Sequence, residues 1–302
     1  MKRVIALGFF DGVHIGHGAL FRRAAKMARE LDATPAAVTF DVPPAKRMGG
    51  QPVPLLSSLD VRRELMDELY GAEMLILTFD DALRQLPWDD FITHILIREY
   101  GAVGVVCGQD YRFGWKGAGT SALLREKCKE LGIACEVIQK VELDGTTVSS
   151  TYIRGLVTEG NIRQANRFLG HPYMLSGTVE HGKRLGHRIG IPTTNLTPAA
   201  GLLIPPFGVY ATVTRLENGA RYAAVTNIGV RPTVDESSTR VSIESWLLDF
   251  NDDLYGQRLR VELYDYLRAE QKFPSLEHLV QAIHRNRDEV RAYMEEHPEL
   301  LK

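Results

Sequence analysis

The sequence has little cysteine, no long apolar run and almost no excess of charge of either sign. Its 302 residues include three cysteines, and none of them belongs to a CxxC pair. A disulfide framework or a zinc site is therefore not expected, and a reducing compartment fits better. No stretch approaches the ~18 apolar residues that a membrane span requires. The formal net charge of −2 gives no general attraction to nucleic acid or to an anionic membrane, so any phosphate recognition must be local.

The start of the chain, MKRVIALGFFDG, resembles a secretory signal peptide over only a few residues. Its apolar run is interrupted by Asp11, and no small-residue cleavage site follows. We therefore expect a cytoplasmic protein that binds neither nucleic acid nor membrane.

The first half of the sequence alternates short apolar runs with a helical pattern. The runs that indicate buried strands are VIAL, AAVTF, MLILTF and AVGVVCG. Between the first two, one face of a helix is marked by the spacing of Leu20, Ala24, Met27, Ala28 and Leu31. This order predicts a doubly wound parallel α/β sheet, in which ligands bind beyond the carboxyl ends of the strands.

The second half has a different rhythm. Closely spaced strand-like segments without intervening helices predict an antiparallel barrel or sandwich. Pro274 and Ser275 mark the start of a closing helix. Its apolar stripe is predicted to contain Leu276, Leu279, Val280, Ile283 and Val290. We place the join in TEGNIRQANRFLGHPYML and the boundary after residue 170, which gives domains 1–170 and 171–302.

The stretch GFFDGVHIGH follows the first predicted strand. Its glycines allow sharp turns and close approach of a ligand to backbone amides. A helix that begins near Ile15 would point its free N–H groups at an anion, and His14 and His17 would face the same point. Imidazole N–H donors there suit the oxygens of a polyphosphate. The alternative is a capped helix with two merely exposed histidines, but the buried strand and the glycines favour the phosphate site.

Three segments of this half resemble the nucleotidyltransferase signatures of bacterial FAD synthetases. GFFDGVHIGH resembles GxFDGVHxGH, GQDYRFGWKG resembles GxDFRFGxxxxG, and VSSTYIR resembles ISSTxIR. The resemblance implies a Rossmann-like domain that adenylylates FMN, with His14, His17 and Arg154 as catalytic residues. The residues that it implies for nucleotide binding are Gly8, Phe10, Asp11, Gly12, Gly16, Gly108, Asp110, Arg112, Phe113, Ser149, Ser150 and Thr151.

In the second half, GKRLGHRIGIPTTNL is rich in glycine and ends in a turn with oxygen-bearing side chains. Thr193 and Asn195 supply the small oxygen ligands that Mg²⁺ and its bridged phosphates accept. Glu244 shares a strand face with Trp246, so a partly desolvated carboxylate there could take a proton from a hydroxyl. From periodicity alone, a solvent-facing polar residue is the stronger interpretation of Glu244.

The motifs of the second half resemble those of the riboflavin kinase module. They are SGTVEHG, IPTTNL, NIGVRPT, IESWLLDFNDDLYG and LRAEQKF, in the expected order. The resemblance implies a small antiparallel Greek-key barrel with a closing helix. It also implies that Thr193 and Asn195 bind Mg²⁺ and ATP phosphates and that Glu244 is the catalytic base. Nucleotide binding is implied for Gly182, Gly186, Gly190 and Pro192.

Together the resemblances indicate the bacterial bifunctional riboflavin kinase/FMN adenylyltransferase family. They imply that riboflavin is phosphorylated by ATP and that the FMN product is adenylylated by a second ATP, with Mg²⁺ as the metal. His187 stands where the family has arginine, Thr194 replaces an alanine, and FDVPPAKRM lacks the histidine of FxPHP. A monofunctional adenylyltransferase with a weakened kinase and a non-catalytic flavin-binding regulator are the alternatives. A weak homo-oligomer is left open.

Overall fold

The structure, a computed structural model, describes residues 1–43, 53–180, 190–232 and 239–302. The chain divides into two compact units, Met1–Ser150 and Thr151–Lys302. The boundary after residue 170 stays a prediction, and each unit is described by itself.

The first unit is built from parallel strands covered by helices. Its strands are β1 (Arg3–Leu7), β2 (Thr34–Phe40), β3 (Glu73–Leu77), β4 (Ala102–Gly108), β5 (Arg112–Phe113), β6 (Gly119–Thr120), β7 (Ala134–Ile138), β8 (Glu142–Leu143) and β9 (Thr146–Thr147). Its helices are α1 (Ile15–Glu30), α2 (Leu59–Tyr70), α3 (Asp81–Gln85), α4 (Trp88–Asp90) and α5 (Ser121–Glu130), with a π-helix at Phe91–Glu99 and a 3-10 turn at Trp115–Gly117.

The main sheet has the strand order β3-β2-β1-β4-β7, and its neighbouring strands are parallel. The chain moves from β1 to one side of the sheet and returns to the other side at β4. The carboxyl ends of β1 and β4 are therefore adjacent at the point where the strand order reverses, where such sheets bind ligands. The predicted doubly wound α/β fold is confirmed.

Packing of α1 on this sheet depends on a small residue. Met27 of α1 lies against β4, and a Cβ atom at Gly104 would stand only 2.6 Å from its sulfur. Leu20, Ala24, Met27 and Ala28 are buried, as their spacing predicts. This contact fixes the helix whose amino terminus lies beyond β1.

The second unit is antiparallel. Its strands are β10 (Tyr173–Thr178), β11 (Thr194–Leu196), β12 (Gly208–Arg215), β13 (Arg221–Pro232), β14 (Thr239–Leu247) and β15 (Arg258–Ala269). Its helices are α6 (Ser150–Thr158), which starts at the last residue of the first unit, α7 (Ile162–Leu169) and α8 (Leu276–Glu296), followed by a 3-10 turn at Pro298–Leu301. The strand order is β10-β15-β12-β13-β14-β11.

The edges of this sheet meet and close it into a barrel. Val179, directly after β10, forms a bridge with Leu196 of β11, and the Glu180 amide donates to the Asn195 carbonyl at 2.8 Å. The helix α8 packs over β12 and β13, where Val290 and Met294 are buried. The expected barrel with a closing helix is confirmed.

One member of the predicted stripe of α8 is misplaced. Leu276 is 60% exposed, because it is the first residue of the helix and precedes the part that packs on the barrel. Asn286 takes a buried place in the stripe instead, and its side-chain oxygen accepts a hydrogen bond from Arg268 Nε at 3.0 Å. Among the helices within the described ranges, none has the length and apolar character to cross a membrane.

Candidate active sites

The turn from β1 into α1 is tight and strained. Phe10, Gly12 and Val13 have positive φ angles of 57°, 79° and 44°, and the Val13 amide donates to the Phe10 carbonyl at 3.1 Å. Such angles are costly for residues other than glycine, so the surroundings must hold them in place. The turn ends at His14, the N-cap of α1, whose Nδ1 accepts the His17 amide at 3.3 Å.

The rings of His14 and His17 stack on each other. Their centroids lie 3.5 Å apart with 15° between the planes, and Phe10 meets His17 edge-on. His17 Nδ1 is buried and has no hydrogen-bond partner among the described residues. Burial lowers the pKa of His17 well below its usual value, and the nearby His14 and Arg62 lower it further. The imidazole is therefore neutral near pH 7, and an approaching phosphate anion would raise its pKa and favour the charged form.

Asp11 belongs to the turn and holds it to a neighbouring loop. Its carboxylate is buried and accepts the Leu56 amide at 2.9 Å and the Ser57 amide at 3.1 Å. The Gly12 amide donates to Ser57 Oγ at 2.9 Å. Ser150 Oγ donates to the Asp11 carbonyl at 2.9 Å, which brings the VSS segment to the β1–α1 turn. Direct contact of Asp11 with nucleotide stays a prediction.

A cavity of about 280 Å³ opens above the two histidines. Nine of the sequence-predicted residues line it: Gly8, Phe10, His14, Gly16, His17, Gly108, Asp110, Ser149 and Ser150. A Cβ atom on Gly8 would lie 2.8 Å from the Phe10 ring, and one on Gly16 would lie 3.1 Å from the His14 ring. Glycine at both positions therefore keeps the cavity floor open.

Other predicted residues of the first site lie elsewhere. Arg112 is exposed on β5 and does not line this cavity, while Phe113 is buried against the Phe91 ring. Thr151 and Arg154 belong to α6 in the second unit, so their part in this site stays a prediction.

Sequence reasoning missed residues that follow β7. Gln139 and Lys140 line the cavity, and Lys140 Nζ lies 3.3 Å from Asp110 Oδ2. The strand ACEVI was not identified, since it mixes cysteine and glutamate with apolar residues. Had it been, the rule that ligands bind beyond carboxyl strand ends would have indicated Lys140.

The second unit places Glu244 between two asparagines. On β14 it stands directly opposite Asn195 of β11 and Asn227 of β13. Side chains directly opposite each other on one sheet face lie close together. Ser242 Oγ donates to Glu244 Oε1 at 3.1 Å. The partly buried Glu244 is thus part of a polar row, and it does not point alone into solvent.

Two cavities of the barrel share Thr193. One has a volume of about 720 Å³, with Glu244 and Asn227 beside the apolar side chains of Trp246 and Phe273. The other has a volume of about 620 Å³ and is lined by more polar residues. Its lining includes Pro192 and the polar residues Thr193, Thr194, Ser245, Asn251, Asp252 and Asp253. Thr193 therefore stands where an apolar pocket and a polar pocket adjoin.

The remaining residues of the predicted kinase loop are only partly described. Gly182, Gly186 and His187 lie outside the described residues. Gly190 has a φ of 73° and forms a turn before Pro192. Asn227 was not identified as a site residue, although NIGVRPT was noted as a motif, because its register with Glu244 depends on long-range strand pairing. Asn227 Nδ2 donates to Glu270 Oε1 at 3.1 Å.

The residues near Glu244 fit a metal ion that is bound mainly by substrate phosphates and water. Across the described parts of the chain, no group of three or more His, Cys, Asp or Glu side chains could hold a metal ion. Thr193 and the partly buried Asn195 offer neutral oxygens instead. Mg²⁺ commonly binds through a few protein oxygens together with substrate phosphates and water, so this donor set fits a nucleotide-bound Mg²⁺.

Two family models match this chain, one in each half. The family model for FAD synthetase matches residues 1–152, and that for riboflavin kinase matches residues 169–294. A crystal structure from Streptococcus pneumoniae, described as a macrolide-efflux protein, superposes with a TM-score of 0.83 at 28% identity and covers 96% of this chain and 94% of that one.

The curated relatives extend over both units. The bifunctional riboflavin kinase/FMN adenylyltransferase of Listeria monocytogenes is 33% identical over 295 residues, which is 97% of this chain and 93% of the relative. The protein of the same name from Pseudomonas fluorescens is 35% identical over 280 residues, with 93% and 89% covered. This chain belongs to the family of bifunctional riboflavin kinase/FMN adenylyltransferases.

Proposed function

We propose that this protein phosphorylates riboflavin with one ATP to give FMN and then transfers AMP from a second ATP to FMN, which gives FAD and pyrophosphate. The observation that carries the proposal is that each unit has its own cavity with side chains suited to phosphate-transfer chemistry. The first has stacked imidazoles at a helix amino terminus, and the second has a carboxylate beside an apolar pocket.

In the first unit, the FMN phosphate attacks the α-phosphorus of ATP and the bond to pyrophosphate breaks. The amino terminus of α1 offers N–H groups that have no acceptor within the helix. His14 and His17 border the same cavity and can donate to phosphate oxygens. Negative charge that develops on the phosphates is stabilised by these donors, and no covalent enzyme intermediate is needed.

In the second unit, the riboflavin 5′-hydroxyl attacks the γ-phosphorus and ADP leaves. Glu244 accepts the hydroxyl proton, and the apolar side chains of Trp246 and Phe273 suit the flavin ring. The polar cavity beyond Thr193 suits the ATP phosphates. Thr193 and Asn195 would hold Mg²⁺, which when bound neutralises charge on the phosphates.

The catalytic roles of His14, His17, Arg154 and Glu244 are part of this proposal, as is the choice of Mg²⁺. A cytoplasmic location, a weak homo-oligomer and the lack of nucleic-acid and membrane partners stay predictions from the sequence. The row formed by Asn195, Glu244 and Asn227 supports an active kinase and so favours the bifunctional reading over the monofunctional alternative.

The test is a product assay with two substrates. Riboflavin, ATP and Mg²⁺ should give FMN first and FAD later, and supplied FMN with ATP should give FAD and pyrophosphate. FAD from FMN without any FMN from riboflavin would identify a monofunctional adenylyltransferase. Tight flavin binding without turnover would identify a non-catalytic regulator.

A further inference from the structure

Arg62, on α2, is a charged side chain buried behind the β1–α1 turn. It exposes 1% of its surface. Burial lowers the pKa of Arg62 to about 10, and the nearby Asp11 opposes that shift. The guanidinium is therefore a fixed positive charge at neutral pH. Because a buried charge is costly unless it is paired and hydrogen-bonded, its contacts indicate what it does.

The guanidinium binds the turn at Phe9. Its Nη1 donates to the Phe9 carbonyl at 2.9 Å and to Thr39 Oγ1 at 3.3 Å, and its Cζ lies 4.4 Å from the Phe9 ring centroid. Thr39 Oγ1 donates to the same carbonyl at 2.8 Å. Nη2 donates to the Ser57 carbonyl at 3.4 Å and lies 3.9 Å from Asp11 Oδ1. Arg62 thus joins three segments at the point where the chain leaves β1.

The residues that follow Phe9 need such a support. Phe10 and Val13 have positive φ angles, and the turn leads directly to His14 and the start of α1. Strained backbone persists only where its surroundings over-determine it. If the Phe9 carbonyl were released, the turn could relax and move the cavity floor.

We propose that Arg62 is a positioning residue for adenylyl transfer, which holds the Phe9–Val13 turn so that His14, His17 and the amino terminus of α1 meet the triphosphate. This inference rests on the proposed function of the first unit. Its contacts lie within that unit, so kinase activity should not depend on it.

The same charge acts on His17. Around this imidazole, His14 stacks on it, and Arg62 adds a positive charge from α2. The carboxylate of Asp11 is turned to backbone amides, and Asp110 and Lys140 pair with each other at the cavity. The loss of the Arg62 charge should therefore raise the pKa of His17.

The test uses R62M, which removes the charge, and R62K, which keeps the charge but lacks the planar fork. R63M is the matched control, since Arg63 is exposed on the same helix. In R62M, kcat for FAD formation from FMN should fall roughly 10- to 100-fold, as expected for displaced catalytic groups. KM for ATP should change less than kcat, because the positioning of catalytic groups mainly affects the transition state. Riboflavin phosphorylation should stay within about twofold, because the contacts of Arg62 lie within the first unit.

NMR titration of the His17 ring supplies the second readout. Its pKa should rise in R62M and stay near the wild-type value in R62K, while R62K should still lose most of the adenylyl-transfer rate because lysine cannot replace a forked donor. Wild-type rates in R62M, full activity in R62K, an equal loss of both activities, or an unmoved His17 pKa in R62M would each overturn the proposal. If R62M does not fold, R62K decides by its rate. Failure of the wild-type protein to make FAD from FMN would instead contradict the proposed function, and the His17 titration would still show whether Arg62 acts on the pocket.

Discussion

At the scale of single residues, adenylyl transfer depends on His17. H17A should lower FAD formation from FMN by roughly 100- to 1000-fold, the usual cost of removing a donor that stabilises developing charge. Phosphorylation of riboflavin should survive in this variant. H94A is the control, because His94 is an exposed histidine of the same unit. Equal rates for H17A and H94A would show that His17 has no part in the reaction.

Burial of His17 also predicts a dependence of stability on pH. In the unfolded chain its imidazole gains a proton near pH 6.5, whereas in the folded state its pKa is well below that value. Just below pH 6.5 the unfolded state therefore binds more protons than the folded state. As the pH is lowered through this range, the free energy of unfolding should fall by up to about 1.4 kcal/mol per pH unit.

H17N should weaken that dependence. Urea unfolding of the wild type and of H17N between pH 7.5 and 5.5 provides the measurement. Below pH 6.5, each further decrease in pH should lower the unfolding free energy of the wild type more than that of H17N. A constant difference across the range would mean that His17 has the same pKa in the folded and unfolded states, which would contradict its lowered pKa in the fold.

Glu244 should be as specific for the kinase as His17 is for adenylyl transfer. E244Q keeps the shape of the side chain but cannot accept the riboflavin proton, so FMN formation should fall by about 100- to 10,000-fold. FAD formation from supplied FMN should remain. E295Q, at an exposed position of α8, is the matched control. Normal phosphorylation by E244Q would remove the proposed base from the mechanism.

At the scale of elements, the stability of the barrel depends on Gly208, at the start of β12 where it pairs with β15. A Cβ atom at Gly208 would lie 2.3 Å from the Arg268 carbonyl oxygen, which is backbone and cannot rotate away. Overpacking and backbone strain should together lower the free energy of unfolding of the second unit by about 3 kcal/mol in G208A.

The control for this substitution is G219A. Gly219 also has a positive φ, 86°, but nothing lies within 4 Å of its added Cβ. Strain alone should then cost about 1 kcal/mol. Thermal unfolding of both variants makes the comparison, and equal losses of stability would argue against the close contact between β12 and β15.

Element positions were largely predictable where the signal is local. The strands β1 to β4 and the start of α1 at Ile15 follow from apolar runs and from the glycine-rich turn before a helical stripe. Arg62 could not be identified in this way, because an arginine on an amphipathic helix is normally exposed and its partners are distant in sequence. Asn227 could not be identified because strand pairing places it opposite Glu244, and Lys140 could not because the strand before it mixes polar and apolar residues.

At the scale of the whole molecule, each unit has a cavity of its own that is lined by residues predicted for one of the two activities. The family models divide along the chain in the same order, FAD synthetase and then riboflavin kinase. If each site works by itself, a change that disables one activity should leave the other at its normal rate. FMN made by one molecule should then serve as substrate for another.

The most direct test of two independent sites is a mixing experiment with H17A and E244Q. With riboflavin, ATP and Mg²⁺, H17A alone should accumulate FMN, and E244Q alone should form neither FMN nor FAD. An equal mixture should form FAD, because FMN released by H17A is adenylylated by E244Q. Formation of FAD from riboflavin by either variant alone, or no FAD from the mixture, would contradict the account.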